Sequence, residues 1–321
     1  MKKFISLACV FAFIFTLAAC GSSAPAASED GSYVVGICQL VQHPALDAAT
    51  EGFKAALTEA LGDKVSFLEQ NASGDSAACA TICNQFVSEE VDLIMANATA
   101  ALQAAAAATN RIPILGTSIT DYGTALGIED WTGVSGTNIS GTSDLAPLQG
   151  QAEMIKELFP DARSVGMLFC SGEPNSLFQV GVVQPLLEEM GYKVSTFTFA
   201  DSNDVSAVTA SACSECDVLY IPTDNTAASC AEAINNVAVT AGVPIVAGEE
   251  GLCAGCGVAA LSISYFDLGF ATGQMAVEIL REGADVSAME VRFAPQFTKK
   301  FNAPICEALG ITPPGDYVVI E

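Results

Sequence analysis

The sequence predicts an α/β fold made of two doubly wound lobes, each with a parallel sheet, joined by a hinge. The first observation is the stretch Tyr33–Phe53, in which a short apolar strand, a polar loop and an amphipathic helix follow one another. The second is a repeat of that strand–loop–helix start at Ser164–Met190. Because ligands bind at the carboxyl ends of the strands in such sheets, the two starts predict a ligand cleft between the lobes.

The composition is that of a globular and strongly acidic protein. Of 321 residues, 51% are hydrophobic, and the length suits two domains of ordinary size. The net charge is −25, with only 12 Lys and Arg residues. The phosphate backbone of a nucleic acid would repel such a chain, which also lacks a basic patch. We therefore expect no nucleic-acid partner.

The first twenty residues have the pattern of an export signal. Lys2 and Lys3 precede the apolar run Phe4–Leu17, which is too short to span a membrane comfortably. The run ends in LAACG, from Leu17 to Gly21, which resembles the bacterial lipobox, in which Cys20 is lipidated after cleavage. Residues 21–32 are rich in Ser, Ala, Gly and Pro, which predicts a flexible tether. We expect an extracytoplasmic protein anchored by lipid to the bacterial cell membrane, with an ordinary cleaved secretory signal as the alternative.

Alternating strand and helix patterns predict the first lobe. Tyr33–Cys38 is apolar and rich in β-formers, and Pro44 suits the first turn of the helix that follows. The next predicted elements are a strand at Val65–Glu69, a helix at Ser76–Val87, a strand at Val91–Met95, an alanine-rich helix ending near Ala108, and a strand at Ile112–Leu115. A long loop, Gly116–Thr132, and a short strand at Gly133–Ser135 follow, and Gly136–Asp144 contains the first crossing between lobes.

The second lobe repeats this alternation, which predicts parallel sheets with right-handed crossovers. Its predicted elements are helix Leu145–Phe159, strand Val165–Phe169, helix Ser176–Met190, strand Lys193–Phe199, helix Val205–Ala212, strand Val218–Ile221, helix Thr226–Ala241, strands Pro244–Ala247 and Gly257–Ile263, and helix Phe266–Leu280. The tail, Val291–Gly310, adds a strand and a short helix. We assign residues 33–143 and about 274–292 to the first lobe, and residues 144–273 and about 293–321 to the second.

Polar side chains follow the strands on the presumed cleft side of both lobes. They occupy five loops: Gln39, Gln42 and His43; Asn97 and Thr99; Thr117 and Ser118; Glu173, Asn175 and Ser176; and Thr223, Asp224 and Asn225. The free N–H groups and the dipole of a helix N-terminus suit a carboxylate. Candidates for holding an ammonium group are the acids Glu173, Asp224, Glu249 and Glu250. Together these groups would suit a free α-amino acid, while helix capping is the alternative for each residue taken singly.

Three aromatic side chains are expected near the junction of the lobes. Tyr122 and Trp131 lie in the predicted long loop, and Tyr265 opens the last long helix. They could enclose a ring of the ligand, or they could pack at the hinge between the lobes. The sequence leaves both interpretations open.

Catalytic, metal and cofactor chemistry find little support in the sequence. Cys213-x-x-Cys216 and Cys253-x-x-Cys256 form two CxxC pairs, but they are further apart than in a zinc ribbon. His43 is the one histidine, and there is no G-x-S-x-G elbow. Neither a P-loop nor G-x-G-x-x-G follows either opening strand. We expect no catalytic residue, no metal and no cofactor, with a thiol or metal protein as a less favoured alternative.

Seven motifs carry a resemblance to a known family. They are QLVQHPALD at Gln39–Asp47, GVSGTNISGTSD at Gly133–Asp144, GEPNS at Gly172–Ser176, YIPTDNT at Tyr220–Thr226, VPIVAGEE at Val243–Glu250, SYFDLG at Ser264–Gly269 and ALGITP at Ala308–Pro313. In order and spacing, the chain from about Tyr33 to Glu321 resembles the substrate-binding lipoproteins of ABC importers, in the branch with TrpX-like tryptophan-binding proteins. The extra cysteines and the low lysine content depart from the family pattern.

The resemblance implies a type I periplasmic-binding fold without catalysis, in which a hinge closes two lobes over an aromatic amino acid: tryptophan, tyrosine or phenylalanine. The contacts that it implies are Gln42, Asn97, Thr117 and Ser143 in the first lobe, and Glu173, Asn175, Ser176, Asp224 and Asn225 in the second. The implied partner is an ABC permease in the membrane, and we expect a monomer. A nucleoside or another small ring compound is the alternative ligand. A sensor receptor that signals to a membrane kinase is the alternative function.

Overall fold

The computed structural model describes residues 31–294 and 296–320. The predicted signal peptide, Cys20 and residues 21–30 of the predicted tether lie outside the described residues. Within the described ranges, no helix combines the length and the apolar character that a membrane crossing needs.

The described residues form thirteen strands and twelve α-helices. The strands are β1 (Tyr33–Gln39), β2 (Val65–Asn71), β3 (Leu93–Asn97), β4 (Ile114–Ile119), β5 (Ile139–Ser143), β6 (Ser164–Cys170), β7 (Lys193–Phe199), β8 (Val218–Ile221), β9 (Ile245–Ala247), β10 (Ala259–Ser262), β11 (Arg292–Phe293), β12 (Thr298–Phe301) and β13 (Val318–Val319). The helices are α1 (Pro44–Leu61), α2 (Ser76–Ser88), α3 (Thr99–Ala108), α4 (Tyr122–Leu126), α5 (Leu148–Leu158), α6 (Pro174–Glu189), α7 (Val205–Glu215), α8 (Asn225–Ser229), α9 (Ala231–Ala241), α10 (Glu250–Cys256), α11 (Tyr265–Glu282) and α12 (Ala303–Leu309).

The strands form two separate sheets, one in each lobe. The first has the order β11-β5-β4-β3-β1-β2 and is parallel throughout. The second has the order β13-β12-β10-β9-β8-β6-β7 and is parallel except for the antiparallel pair β10 and β12. The predicted α/β fold with two parallel-sheet lobes is confirmed.

The opening strand β1 is apolar because both of its faces are covered. Val35 and Ile37 pack with Phe53 of α1 in one buried cluster. Cys38 points to the other face and packs with Phe86 of α2. Strands covered by helices on both faces have continuous apolar sequences, so the sequence of β1 was enough to predict a buried strand. Its carboxyl end at Gln39 therefore lies at the edge of the sheet where the polar loops gather.

Helix α11 returns to the first lobe and packs tightly against α1. A Cβ atom on Gly269 would overlap the carbonyl oxygen of Ala49, and one on Gly52 would overlap that of Phe266. Only glycine lets the two backbones approach this closely. Helix α11 runs from Tyr265 to Glu282 and so includes the predicted lobe boundary near residue 274.

Five features differ from the sequence prediction. Strand β4 runs to Ile119, and α4 follows within the predicted long loop because the carboxylate of Asp121 accepts a hydrogen bond from Thr124 N at 2.7 Å. The fifth strand is Ile139–Ser143, not Gly133–Ser135, and its hydroxyls bond across the fold. The predicted helix Thr226–Ala241 is interrupted at Cys230, which separates α8 from α9. Helix α10 was not predicted.

The cysteines of the described residues are free thiols. Both members of the pair Cys253 and Cys256 are buried, and Cys216 is buried beside a half-buried Cys213. Burial raises the pKa of these four thiols. A protonated thiol is a poor metal ligand and a poor nucleophile. No group of three or more metal-binding side chains that could hold an ion occurs in the described part of the chain.

Candidate functional site

A groove with a volume of about 370 Å³ lies between the two lobes. Its first-lobe lining includes Leu40, Val41, Ala100 and Gln103. Its second-lobe lining includes Glu173, Asn175, Asn225 and Thr226. Three of the residues predicted to contact a ligand, Glu173, Asn175 and Asn225, therefore line one groove. A groove of this size falls in the range of small-molecule sites.

Three buried polar atoms at the first-lobe edge of the cleft have no hydrogen-bond partner in the described residues. They are Nδ1 of His43, Oδ1 of Asn97 and Oγ of Ser118. The register of the sheet places Asn97 opposite Thr117, so Ser118 follows directly beside it. Buried polar groups without a partner cost free energy and are rare in folded proteins. Their concentration at one sheet edge indicates a site for a polar ligand group.

The N-terminus of α3 lies beside these atoms and is not capped by any side chain. Its N-cap residue is Ala98, whose φ is +85°. A left-handed backbone at alanine is strained, and such outliers cluster at binding sites. The first-turn N–H groups of a helix have no partner within the helix, so they can bind an anion. Since Ala100 lines the groove, this helix end can receive a carboxylate from it.

Helix α1 holds the side chain of Asn97 in place. Its Nδ2 donates to the carbonyl oxygen of Leu46 at 2.8 Å and to Oγ1 of Thr50 at 3.0 Å. Both donors of the amide are used within the first lobe, and the side chain is fully buried. The amide oxygen is left as an acceptor.

The carboxylate of Glu173 binds the first turn of α8 within the second lobe. Oε2 accepts from N and Nδ2 of Asn225 at 2.9 and 2.7 Å, and from Nδ2 of Asn175 at 3.0 Å. Oε1 accepts from N and Oγ1 of Thr226 at 2.8 and 2.7 Å. These five hydrogen bonds stabilise the negative charge of the carboxylate. Glu173 therefore fixes the positions of Asn175, Asn225 and Thr226 in the wall of the groove.

Asp224 is likewise enclosed by donors of its own lobe. Its Oδ2 accepts from Cys170 N and from Ser176 Oγ, both at 2.7 Å, and its Oδ1 caps α8 through Ala227 N at 2.8 Å. Asp224 and Ser176 are buried, and neither lines the groove. Asp224 thus ties strand β6 to helices α6 and α8.

The remaining predicted contacts lie elsewhere at the cleft edge. Thr117 Oγ1 lies 3.3 Å from Thr142 Oγ1, inside the first lobe. Ser143 Oγ donates to Thr120 O at 3.0 Å at the start of the first crossing. Gln42 is exposed and lines a separate first-lobe pocket between α1 and β2.

The two lobes touch directly through His43, the residue that precedes α1. His43 Nε2 lies 3.2 Å from Asn225 Oδ1. Because Nδ2 of Asn225 donates to Glu173, its Oδ1 is the acceptor and His43 is the donor. Burial lowers the pKa of His43, so the imidazole is neutral at pH 7. The lobes are therefore linked by a neutral hydrogen bond beside the groove.

The three aromatic residues pack within the protein. Tyr122 and Trp131 stack on each other, with ring centroids 5.7 Å apart and planes inclined by 15°. Tyr122 donates its hydroxyl to the carbonyl oxygens of Gly116 and Thr142. Tyr265, where α11 begins, donates to Asp144 Oδ2 at 2.9 Å. This arrangement favours the hinge-packing interpretation for Tyr265.

Sequence reasoning did not select Asp144, Ala98 or Ala100. Asp144 ends the predicted crossing between the lobes, and an acid after a buried strand is a recognisable signal. Ala98 and Ala100 carry no polar side chain, and only their backbone forms the uncapped end of α3. No signal in the residue type could have identified them.

Three buried acids give the stability a pH dependence. Burial and the nearby Glu173 raise the pKa of Asp224 to about 8, burial raises that of Glu249 to about 7, and burial also raises that of Asp144. Unfolded carboxyls titrate near pH 4, so between about pH 4 and 8 the folded state binds more protons. We expect the ligand-free protein to lose stability as pH rises from 5 to 8, as measured by urea denaturation. The slope should be smaller in Asp224→Asn; an equal slope in both proteins would contradict this assignment.

Comparisons with known proteins agree with this architecture. A model of the family described as ABC transporter substrate binding protein matches residues 34–319. A tyrosine-binding protein of Clostridioides difficile (strain R20291) is 36% identical over 260 residues, which are 80% of this chain and 75% of that protein. A solved ABC domain in complex with L-Trp, from Streptococcus pneumonia, is 32% identical and covers 90% of this chain and 100% of its own, with a TM-score of 0.85.

A further solved structure bears on how the lobes are arranged. It is the ligand-free, open structure of a substrate binding protein with adhesive properties from Clostridium difficile, 35% identical over 90% of this chain and 99% of that chain. Its TM-score is 0.68, lower than that of the L-Trp complex despite the higher identity. The lobes of this chain therefore resemble the ligand-bound arrangement more than the open one. The fold is that of type I periplasmic-binding proteins, and the chain belongs to the family of ABC transporter substrate binding proteins.

Proposed function

We propose that this protein is the extracytoplasmic receptor of an ABC importer and captures an aromatic α-amino acid between its lobes. The proposal is supported by the family and by two relatives, one named for tyrosine binding and one solved with L-Trp. The ligand is bound, enclosed by hinge closure and released unchanged to the permease, with no catalytic step.

The single observation that carries the ligand class is the uncapped N-terminus of α3 beside Asn97 and Ser118. The helix end supplies N–H donors for a carboxylate, and Asn97 Oδ1 supplies an acceptor. Ser118 Oγ can donate or accept. A site that offers donors and acceptors side by side suits the zwitterionic head group of an α-amino acid. The apolar atoms of Leu40, Val41 and Ala100 line the adjoining groove and suit a hydrophobic side chain.

A calorimetric titration with a ligand panel tests this proposal. The purified protein is unfolded and refolded to remove any carried ligand, and then titrated with L-tyrosine, L-tryptophan, L-phenylalanine, L-leucine and adenosine. We expect an aromatic amino acid to bind with micromolar or tighter affinity and at least about 100-fold more tightly than leucine. If only adenosine binds, the proposed ligand class is wrong, while the assignment of the fold is unaffected.

The hydroxyl of Ser118 provides a test with little effect on folding. It has no partner in the described residues, so Ser118→Ala should leave the free energy of unfolding almost unchanged. Loss of one hydrogen bond to a charged ligand group should weaken aromatic amino-acid binding about 10-fold or more, as measured by calorimetry. Asn235→Ala is the matched control, since Asn235 Oδ1 also lacks a partner but lies on α9, outside the groove. Equal affinities of the two variants would contradict the assignment of Ser118.

The anchor and the partner are part of the same proposal. Cys20 carries the lipid, residues 21–32 form the tether, and the protein works as a monomer beside its permease. The Cys20→Ala variant should move from the membrane fraction to the soluble extracytoplasmic fraction of the producing cell. Retention of Cys20→Ala in the membrane fraction would contradict the lipid anchor.

A further inference from the structure

Asp144 is a buried carboxylate without a cationic partner in the described residues. It lies directly after β5, where the chain first crosses between the lobes, and only 4% of its surface is exposed. Its Oδ1 accepts from Thr120 Oγ1 at 3.1 Å, and its Oδ2 accepts from the hydroxyl of Tyr265 at 2.9 Å. Both donors are neutral. A buried carboxylate that remains ionised needs a compensating positive group.

Asp144 differs in this respect from the other buried acids of the cleft. Glu173, Asp224 and Glu249 each accept backbone N–H groups from the first turn of a helix. Asp144 caps no helix, because α5 begins after Pro147. Burial raises the pKa of Asp144, because the carboxylate loses its hydration and no cation replaces it. Glu249, from the second lobe, adds negative potential at the same place.

The position of Asp144 suits the amine of a ligand whose carboxylate lies at α3. Asp144 N donates to Ile119 O at 3.2 Å, so Asp144 adjoins β4, as Asn97 does on the other side. Across the sheet the two residues are separated by two strand spacings, about 10 Å, and Asp144 also lies further along the strand direction, because Asn97 pairs with Thr117 whereas Ser143 pairs with Ile119. The N–H groups at the start of α3 follow Asn97 in that same direction, so an α-amino acid head group with a charged hydrogen bond of about 2.8 Å at each end can bridge between them and Asp144.

We propose that Asp144 binds the ammonium group of the ligand and that Tyr265 positions the Asp144 carboxylate. This inference rests on the proposed function and adds the residue that selects for a free amine. It replaces the earlier candidates Glu173 and Asp224, whose oxygens are occupied by donors of their own lobe. Tyr265 is a positioning residue, because it acts through Asp144.

The test compares each amino acid with the same molecule lacking its amine. The probes are L-tyrosine against 3-(4-hydroxyphenyl)propionate and L-tryptophan against 3-indolepropionate, titrated by calorimetry into the purified protein. We expect the wild-type protein to prefer the amine-bearing probe by about 100-fold or more. In Asp144→Asn this preference should fall at least 10-fold, while binding of the deaminated probe is retained and reports an intact fold. In Tyr265→Phe the preference for the amine-bearing probe should fall several-fold.

The outcomes separate this inference from the proposed function. Asp267→Asn removes an exposed acid from the first turn of α11 and should keep the wild-type preference. If the wild-type protein binds neither member of a pair, the proposed function fails. If it prefers the amine but Asp144→Asn and Tyr265→Phe keep that preference, the inference about Asp144 is overturned. Loss of the preference in Glu173→Gln alone would restore the earlier candidate.

Discussion

Replacing Gly269 with alanine is expected to destabilise the protein by about 3 kcal/mol or more. The new methyl group would overlap the carbonyl oxygen of Ala49, so α1 and α11 would have to move apart. That movement would open the buried cluster in which Phe53 of α1 meets Met275 of α11. The free energy of unfolding, measured by urea denaturation and circular dichroism, should show the loss.

Gly181→Ala is the matched control for this prediction. Gly181 also lies inside a helix, α6, but a Cβ atom there would meet nothing within 4 Å. Alanine has the higher helix propensity, so this change should stabilise the protein by up to about 1 kcal/mol. Similar unfolding energies for the two variants would show that α1 and α11 are not as close as described.

Replacing Glu173 with alanine is expected to cost about 3 kcal/mol of stability and to weaken ligand binding as well. The change leaves the N–H groups of Asn225 and Thr226 without their acceptor at the start of α8. It also frees Asn225, whose amide oxygen accepts the bond from His43 of the other lobe. Thermal unfolding with and without the bound amino acid measures both effects.

Glu189→Ala controls for the loss of one acid at the opposite end of α6, which Glu173 precedes. Glu189 is exposed at the last position of α6 and has no role in the groove. Its removal should change the free energy of unfolding by no more than about 0.5 kcal/mol. A Glu173 variant as stable as the Glu189 variant would mean that the five described hydrogen bonds do not hold α8.

Local patterns in the sequence were enough to predict most of the fold. The strand boundaries Lys193–Phe199 and Val218–Ile221 agree with the structure, because Gly191 lies shortly before the first strand and Pro222 directly follows the second. The pattern failed at Ile139–Ser143, whose Ser and Thr residues are typical of a loop. These hydroxyls are satisfied by distant groups, Ser140 by Met289 O and Thr142 by Thr272. Such partners cannot be read from a local window.

Part of the groove lining was predictable from the sequence, but the contacts of its side chains were not. The sequence placed Glu173, Asn175 and Asn225 at the cleft, and the structure brings them to one groove. It could not show that Glu173 bonds to α8, because the donors lie about fifty residues further along the chain. Nor could residue types reveal the uncapped end of α3, which depends on the backbone of Ala98.

The measurement that tests the account most directly is a crystal structure of the protein with the amino acid that binds most tightly. We expect the amino acid between the lobes, with a carboxylate oxygen within about 3 Å of the N–H of Thr99 or Ala100. Ser118 Oγ should lie within hydrogen-bond distance of the same head group. A ligand bound outside the cleft, or one whose carboxylate lies on a second-lobe helix, would contradict the account.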